Sequence, residues 1–374
     1  MESRLSKQDV FSLNPEDYKN PAAGKVVQTP QGYAAFVPAP LPPALTYDAD
    51  LVLALSRADA ALSELAGLGR RLPNPHLLIA PYTRREAVLS SRIEGTRTSL
   101  SDLLLDEAGE PPASARRPGA GADDLREVRN YVAALEHGVE RLRDLPLSLR
   151  LMREVHERLM RGVRGDQATP GEFRRSQNWI GPAGSTPTTA PYVPPPVEQM
   201  TSALHQWERF LHDQRDALPD LIQCALMHEQ FEAIHPFLDG NGRVGRLLIT
   251  LFLIERGRLP QPLLYLSGYI EAHRQDYYDL LQRVRTHGDW TAWLLFFLAG
   301  VAETGRAAVR QAQELMDLRE DLRARLANEP KALVLLNALF VNPYTTTAKA
   351  AGDLQVTRPT ARRALDIYRG RVDR

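Results

Sequence analysis

Residues 235–246 read HPFLDGNGRVGR, and the GNGRVG within them matches the dinucleotide-binding pattern G-x-G-x-x-G letter for letter. That pattern binds a dinucleotide when a strand precedes the glycines and an acidic residue follows about 20 positions later. Here the preceding segment, DLIQCALMHEQFEAI (220–234), has apolar residues at helical spacing, and PQPLLYL (260–266) offers no carboxylate. A Walker A loop fails too, because Arg246 and Leu247 stand where Lys and Ser or Thr are required. The glycines therefore lie in a loop that follows a helix and feeds another one.

This loop has the composition of a phosphate-binding site. The proline after His235 disfavours helical geometry for that residue, so we expect the first helix to end with an imidazole at the mouth of the loop. Two glycines around Asn241 allow backbone N–H groups to converge, and the next helix points its positive end at the same place. Arg243 and Arg246, three residues apart, are predicted on one face of that helix, where each can bind a phosphate oxygen. Asp239 is placed to hold a hard cation such as Mg²⁺ beside substrate phosphates. These groups together predict the transfer of a phosphorus-containing group to a hydroxyl.

Composition limits the class of protein and its partners. The chain has 374 residues, 43% hydrophobic and 25% charged, which predicts a sizeable core and two or three domains. Lys and Arg together number 46, as do Asp and Glu, so no whole-chain field attracts nucleic acid or an acidic membrane. The single cysteine, Cys224, excludes an internal disulfide and a Cys-rich zinc site, and fits a reducing compartment. The N-terminus has no apolar signal region, and the apolar stretches are short for a membrane span. We therefore expect a cytoplasmic protein without membrane association.

Proline and glycine separate long stretches of helical spacing, and strands are scarce, so the predicted fold class is all-α with one or two short hairpins. Residues 20–46 are Pro-rich and predict an extended arm over the body, and the composition of 110–124 predicts a linker or mobile loop. Helices are predicted at about 124–143, 147–163, 197–215, 220–234, 243–257, 269–286 and 290–327. The predicted regions are an N-terminal region 1–120 with a helix at about 82–95, a core 121–327 and a small basic C-terminal domain 328–374.

HPFLDGNGRVGR resembles the signature of Fic (filamentation induced by cyclic AMP) proteins, HxFx(D/E)GNGRxxR, and matches every defined position. GEFRRSQNWIG (171–181) followed by YVPPP (192–196) is similar to the flap hairpin of that family. YLSGYIEAHRQDYYDLL (265–281) and THGDW (286–290) are similar to its later helices. The resemblance runs from about residue 20 to 327 and implies a Fic-type helical catalytic core with a short β-hairpin flap.

The resemblance implies adenylylation, the transfer of AMP from ATP to a Ser, Thr or Tyr hydroxyl on a target protein. His235 would be the general base, and Asp239 would hold Mg²⁺ bridging the phosphates. The flap, about 179–196, would present a strand edge to an extended target segment, with Ile180 and Gly181 as docking positions. The nucleotide-binding residues that it implies are Gly240, Asn241, Gly242, Arg243, Arg246, Tyr277 and Tyr278. For the two tyrosines, which would lie near the adenine, ordinary core positions are the alternative.

SSRIEG (90–95) is similar to the inhibitory-helix motif (S/T)xxxE(G/N) of autoinhibited Fic proteins. Gly95 is typical of the left-handed residue just past a helix end, which places Glu94 in the last turn, where negative charge is disfavoured. The resemblance implies that Glu94 pairs with Arg246. A bidentate pair would occupy the guanidinium fork that should hold the γ-phosphate and leave ATP in a pose unsuited to in-line attack.

Three functions from different classes stay open at this point. The first is the autoinhibited AMP-transferase. The second keeps the fold but removes AMP from a modified target or transfers another nucleotide or phosphate group. The third is a DNA-binding regulator, because TTTAKAAGDLQVTRPTARRALDIY (345–368) predicts a helix-turn-helix and resembles a winged-helix domain, with Arg358, Arg362 and Arg363 along a recognition helix. The apolar face WTAWLLFFLAGV (290–301) leaves a homodimer open.

Overall fold

Fourteen α-helices and one two-stranded sheet make up the part of the chain that the computed structural model describes, residues 13–71, 76–110, 121–163, 169–213 and 217–372. The predicted linker falls mostly outside the described residues, and the chain resumes in a helix that begins at Gly121. The all-α prediction is confirmed.

The helices in chain order are α1 (Ala49–Arg71), α2 (His76–Ile93), α3 (Leu100–Glu107), α4 (Gly121–Arg141), α5 (Leu149–Leu159), α6 (Val197–Asp213), α7 (Asp220–Ile234), α8 (Asn241–Glu255), α9 (Ser267–Ala272), α10 (Arg274–His287), α11 (Trp290–Arg325), α12 (Pro330–Val341), α13 (Thr347–Leu354) and α14 (Arg358–Val372).

Helix α7 lies at the centre of the core. Every residue after its first is buried, as expected for a helix whose apolar residues are not confined to one stripe. It packs against α8, α6 and α11, while α4 and α5 cover α8. Two tryptophans fix it from outside, since the indole N–H of Trp207 donates to the Met227 carbonyl at 2.9 Å and that of Trp293 to the Ala225 carbonyl at 3.0 Å. The loop after α7 is therefore held on a rigid support.

The two-stranded sheet lies in the N-terminal arm and not in the predicted flap. Strands β1 (Gly24–Gln28) and β2 (Ala34–Pro38) pair antiparallel. In the flap, one isolated antiparallel bridge joins Ile180 and Tyr192, two of the positions predicted to pair, and the described residues show no longer ladder there. The flap contains prolines on both sides of the bridge, and proline has no N–H to donate to a ladder. The arm supports the flap through the Phe36 N–H, which donates to the Val193 carbonyl at 2.9 Å.

Other predicted helices differ from the structure in detail. The segment predicted as one helix at 269–286 is two helices, α9 and α10, because the backbone of His273 (φ −117°, ψ 37°) is not helical. Helix α2, predicted at about 82–95, begins at His76 and ends at Ile93, two residues before Gly95 with φ 101°. Glu94, expected in the last turn, therefore lies one residue past the helix. The expected left-handed helix end is thus confirmed.

The C-terminal segment is α12–α14 with its own small apolar cluster, in which Leu335 packs with alanines of α13 and α14. The described residues contain no strand after α13, so the predicted helix-turn-helix is present but a β-wing is not. Helix α12 packs on α2, and the Asn342 side chain donates to the Leu104 carbonyl of α3 at 2.8 Å. The three arginines Arg358, Arg362 and Arg363 are exposed on α14.

Helix α11 is long and apolar enough to cross a membrane by length and composition, contrary to the expectation from shorter apolar stretches. However, 56% of its most apolar 18-residue window is buried inside the protein. It packs along α1 over much of its length, as the core helix of a globular domain does.

Candidate active site

His235 ends α7 in the left-handed conformation, with φ 49° and ψ 61°, and its N–H donates to the Phe231 carbonyl at 3.0 Å. This backbone is unfavourable for a residue with a side chain and persists only when neighbours hold it. Two side chains do so, because Arg174 Nε and Asn178 Nδ2 each donate to the His235 carbonyl at 3.1 Å. Helix α7 therefore ends where predicted, and Arg174 and Asn178, which precede the flap, hold the backbone of the histidine.

The His235 imidazole is uncharged at neutral pH. Its pKa is lowered to about 3, first by burial and then by the Arg174 and Arg285 guanidinium groups, against an opposing effect of Glu94. Its Nδ1 is buried without a hydrogen-bond partner. A neutral imidazole keeps one ring nitrogen as a proton acceptor, which a general base requires.

Asn241 shapes the loop with its side chain. The Phe237 N–H donates to Asn241 Oδ1 at 2.8 Å, and Asn241 Nδ2 donates back to the Phe237 carbonyl at 2.8 Å. The side-chain amide of Asn241 is therefore already hydrogen-bonded within the loop. The donors left for an anion are the backbone N–H groups at the start of α8, because the first N–H groups of a helix have no intrahelical partner. Gly240, with φ 77°, precedes that helix and donates its N–H to Asp239 Oδ1 at 2.6 Å.

His156 of α5 supports the same loop and was not predicted from the sequence. Its Nδ1 accepts the Gly171 N–H at 2.9 Å, so the ring proton lies on Nε2, which donates to the Asp239 carbonyl at 3.1 Å. The ring stacks on Phe237 with centroids 3.7 Å apart, and burial lowers its pKa to about 4. Local spacing marks α5 only as an amphipathic helix, because the contact of His156 joins segments 83 residues apart.

Arg243 and Arg246 both lie on the first turns of α8 with buried side chains, but different helices hold them. Arg243 Nη1 donates to Glu127 Oε2 of α4 at 2.8 Å. Arg246 Nε donates to Ser90 Oγ of α2 at 2.8 Å, and Arg246 Nη2 donates to the Ser90 carbonyl at 3.0 Å. Both arginines therefore lie near the start of α8, as predicted, but they contact α4 and α2, respectively, and these contacts were not predicted.

Glu94 contacts Arg246 as predicted, but through one oxygen. Arg246 Nη2 donates to Glu94 Oε1 at 2.7 Å, while Ser90 accepts from Nε and from Nη2. One oxygen of Glu94 meets one nitrogen of Arg246, so the expected bidentate pair is wrong. The Arg246 side chain is 2% exposed and that of Glu94 is 35% exposed. Burial would raise the pKa of the Glu94 carboxyl, but the Arg246 guanidinium outweighs burial and the pKa falls below its ordinary value. The pair is ionised at neutral pH.

The Glu94 carboxylate also covers the start of α8. A Cβ on Gly242 would overlap Glu94 Oε1 and lie 3.0 Å from Arg246 Nη1. Glycine at this position therefore leaves space for an anion against the backbone, and the carboxylate of the chain itself fills it. The positive end of a helix stabilises such an anion.

The structure separates the two predicted adenine-site tyrosines. Tyr277 is a core residue, 1% exposed, whose hydroxyl lies 2.9 Å from His228 Nε2. Tyr278 is 41% exposed, with the Arg274 guanidinium 5.8 Å from its ring centroid. The flap residues Ile180 and Gly181 are exposed as well.

Asp239 could bind a cation only together with oxygens from a substrate. Its side chain is 51% exposed at the edge of the loop, and Arg243 Nη2 lies 3.8 Å from its Oδ1. The described residues contain no group of three or more His, Cys, Asp or Glu side chains that could hold a metal ion by themselves.

These features define a helical protein with a partly buried histidine before a helix N-terminus that carries two buried arginines. Two family models match the chain: Fic/DOC family N-terminal over residues 52–140, and Fic/DOC family over residues 146–253. Together they cover more than half of the 374 residues. The chain belongs to the Fic family.

Curated relatives carry the name protein adenylyltransferase Fic. The chain is 30% identical over 181 residues to that of Aedes aegypti, a match that covers 48% of this chain and 33% of the relative. It is 29% identical over 181 residues to that of Culex quinquefasciatus, with the same shares. The match thus spans about a third of the length of these relatives.

Solved structures share the fold. A Fic family protein from Desulfovibrio desulfuricans G20 superposes with a TM-score of 0.56 at 20% identity, covering 86% of this chain and 89% of that one. Residues 134–508 of Fic-1 from C. elegans give a TM-score of 0.53 at 20% identity, covering 72% of this chain and 74% of that one. At these identities the likeness establishes the fold alone.

Proposed function

We propose that the protein transfers AMP from ATP to a hydroxyl side chain of a target protein, and that Glu94 restrains this reaction. The observation that carries the proposal is the neutral, partly buried His235 close to the start of α8, where the Glu94 carboxylate already lies against Gly242 and Arg246. A base beside an anion site is the arrangement that transfer of a phosphoryl-type group to a hydroxyl requires.

In the reaction, His235 accepts the proton of the target hydroxyl as its oxygen attacks the α-phosphorus of ATP. The new bond is the phosphoester between the target oxygen and AMP, the bond that breaks joins the α- and β-phosphates, and pyrophosphate leaves. The backbone N–H groups at the start of α8, with Arg243 and Arg246, orient and neutralise the phosphates. The negative phosphates would raise the pKa of His235 from about 3 towards the range in which a base is effective.

Asp239 fits a magnesium ligand in this scheme. Mg²⁺ is commonly bound by one or two carboxylates together with substrate phosphates, and Asp239 offers a half-exposed carboxylate beside the anion site. The ion would neutralise phosphate charge when bound.

Glu94 restrains the reaction by occupying the place of the outer phosphate. Its ionised carboxylate competes with phosphate for Arg246 and for the space over Gly242. ATP that binds beside it would be held away from the in-line geometry that transfer requires. The names of the curated relatives support ATP as donor and a protein as acceptor, and the exposed Ile180 and Gly181 of the flap are the proposed docking positions.

The position of the label in ATP tests this function. Purified Glu94→Gly protein should incorporate label from α-labelled ATP and none from γ-labelled ATP, in itself or in a lysate protein. Adding His235→Ala should abolish incorporation while nucleotide binding persists. Incorporation from γ-labelled ATP would instead indicate phosphate transfer, and incorporation by the His235→Ala variant would contradict the role of His235 as the base.

The removal of AMP from a modified target is a second candidate, because Glu94 is ionised and 35% exposed in the same cleft and so can orient a water. In that case Glu94→Gln would abolish AMP release from a premodified target. If Glu94 is only inhibitory, the wild type releases no AMP from the premodified target, and Glu94→Gln increases AMP incorporation.

A further inference from the structure

Arg174 is a buried arginine in the segment that precedes the flap, and its side chain bonds to three uncharged carbonyls. The residue is 1% exposed. Its Nε donates to the His235 carbonyl at 3.1 Å, Nη1 donates to the Ser176 carbonyl at 3.3 Å, and Nη2 donates to the Pro195 carbonyl. Burial lowers the pKa of Arg174 only to about 10, so the group is charged at neutral pH. The three carbonyls satisfy its donors and leave a positive charge beside the histidine.

These carbonyls lie at three points around the candidate active site. Ser176 precedes the flap, Pro195 lies at the end of the flap, and His235 is the candidate base. The main chain of Arg174 adds a fourth bond, because its N–H donates to the Pro236 carbonyl at 2.9 Å. A guanidinium group is planar, and its donors point in fixed directions. One side chain therefore holds both ends of the flap at set positions relative to His235.

The flap depends on such contacts because it has little ladder of its own. Its bridge between Ile180 and Tyr192 is isolated. The Tyr192 hydroxyl donates to the Ala233 carbonyl at 2.6 Å, and the arm bonds the residue after Tyr192, so the second half of the flap is supported from two sides. Arg174 joins the start of the flap to that second half and to the histidine through one rigid group.

We propose that Arg174 is a positioning residue of the transfer reaction, whose guanidinium fixes the distance between a target segment docked on the flap and the His235 imidazole. This rests on the proposed function, because it takes the flap as the docking surface and His235 as the base. Arg174 is too buried to contact the target itself and acts through the segments that it joins.

Two substitutions separate the shape of the guanidinium from its charge. Arg174→Lys keeps the charge, but a single nitrogen cannot replace three that point in different directions. Arg174→Gln removes the charge as well. The charged groups that act on the His235 imidazole are Arg174 and Arg285, which lower its pKa, and Glu94, which opposes them. Without the Arg174 charge the pKa of His235 rises, so activity that needs the neutral imidazole is lost at a higher pH.

The kinetic test uses Glu94→Gly as the parent and Arg175→Lys as the matched control, because the neighbouring Arg175 side chain is 86% exposed. Arg174→Lys should lower the rate of AMP incorporation at saturating α-labelled ATP at least about tenfold, since small misplacements of reacting groups are costly. Its affinity for the α,β-methylene analogue of ATP should stay within about twofold, because the nucleotide contacts at the start of α8 do not involve Arg174. Arg174→Gln should in addition move the acidic limb of the pH–rate profile to higher pH, and the control should change neither quantity.

A parental rate in Arg174→Lys, or a loss of analogue affinity as large as the loss of rate, would overturn the positioning role. An unmoved acidic limb in Arg174→Gln would overturn it too, because the guanidinium would then not lie against the imidazole.

Hydrogen exchange tests the Arg174 contacts without any transfer reaction. In Arg174→Lys the bridge amides of Ile180 and Tyr192 should exchange at least about tenfold faster than in the parent, and the amides of α8 should keep their rates. Arg174→Gln takes its place here if the lysine variant does not fold, since it buries no ammonium group. Unchanged exchange at the bridge would overturn the inference. A parent that incorporates no AMP would instead refute the proposed function, and the exchange rates would still decide whether Arg174 holds the flap.

Discussion

Replacing Glu94 with glutamine should change how the protein distinguishes ATP from ADP. The substitution keeps the size of the side chain and removes its charge. In the wild type, the Glu94 carboxylate lies 2.7 Å from Arg246 Nη2, so a γ-phosphate must compete with it for that guanidinium. ADP has no γ-phosphate and does not enter that competition. We therefore expect similar affinities for ATP and ADP in the wild type and a preference for ATP in Glu94→Gln.

The contact sets the size of the effect. A hydrogen bond to a charged group contributes about 1.5–3 kcal/mol. Arg246 is 2% exposed but Glu94 is 35% exposed, so solvent screens the pair and the lower end applies. A gain of about 1.5 kcal/mol corresponds to roughly tenfold tighter binding of ATP.

Calorimetric titration of both proteins with ATP and with ADP measures this preference. The control is Glu110→Gln, which changes an exposed carboxylate that also follows a helix end. An equal change in ATP and ADP affinity, or no change in either, would refute the competition between Glu94 and the γ-phosphate.

Three further substitutions test the loop, the core and the anion site. Asn241→Ala should lower the free energy of unfolding in urea by about 2 kcal/mol or more, because the buried Phe237 N–H and carbonyl both lose their partner. His228 is buried with its pKa lowered from 6.5 to about 3, so it contributes stability above pH 6.5 that is lost as pH falls towards 3. His228→Gln should therefore flatten the urea-derived stability profile by about 1.4 kcal/mol per pH unit within that window, and an unchanged slope would mean that the histidine is charged in the folded protein. Gly242→Ala should displace the Glu94 carboxylate without raising AMP incorporation, since its Cβ also fills the phosphate position and nucleotide binding should be lost.

The sequence predicted the helices around the site because their signals are local. The helix predicted at 220–234 coincides with α7. Its apolar residues are spaced as in a helix, and the proline after His235 sets its end. The glycine at 95 likewise predicted a helix end nearby, and α2 ends at Ile93, one residue before Glu94, which the prediction had placed in the last turn. Such features depend on a few neighbouring residues, and the chain supplies them without reference to the rest of the fold.

The support of the site could not be read from the sequence, because its contacts join distant segments. His156 reaches the Asp239 carbonyl, and Glu127 reaches Arg243, from helices that local spacing marks only as amphipathic. Ser90 lay within a recognised motif, yet its bond to Arg246, which leaves Glu94 a single contact, depends on how α2 packs on α8. Strand pairing also depends on distant partners, which is why the paired strands appear in the arm while the flap keeps one bridge.

The most direct test of the account compares AMP incorporation from α-labelled ATP by the purified wild-type protein and by Glu94→Gly at equal protein concentration. The same two proteins carrying His235→Ala give the background incorporation, which is subtracted. The account predicts that Glu94→Gly labels itself or a lysate target at least about tenfold faster than the wild type, as expected from release of the Arg246 contact. Equal rates in the two proteins, or a slower rate in Glu94→Gly, would contradict the claim that Glu94 holds the enzyme inactive.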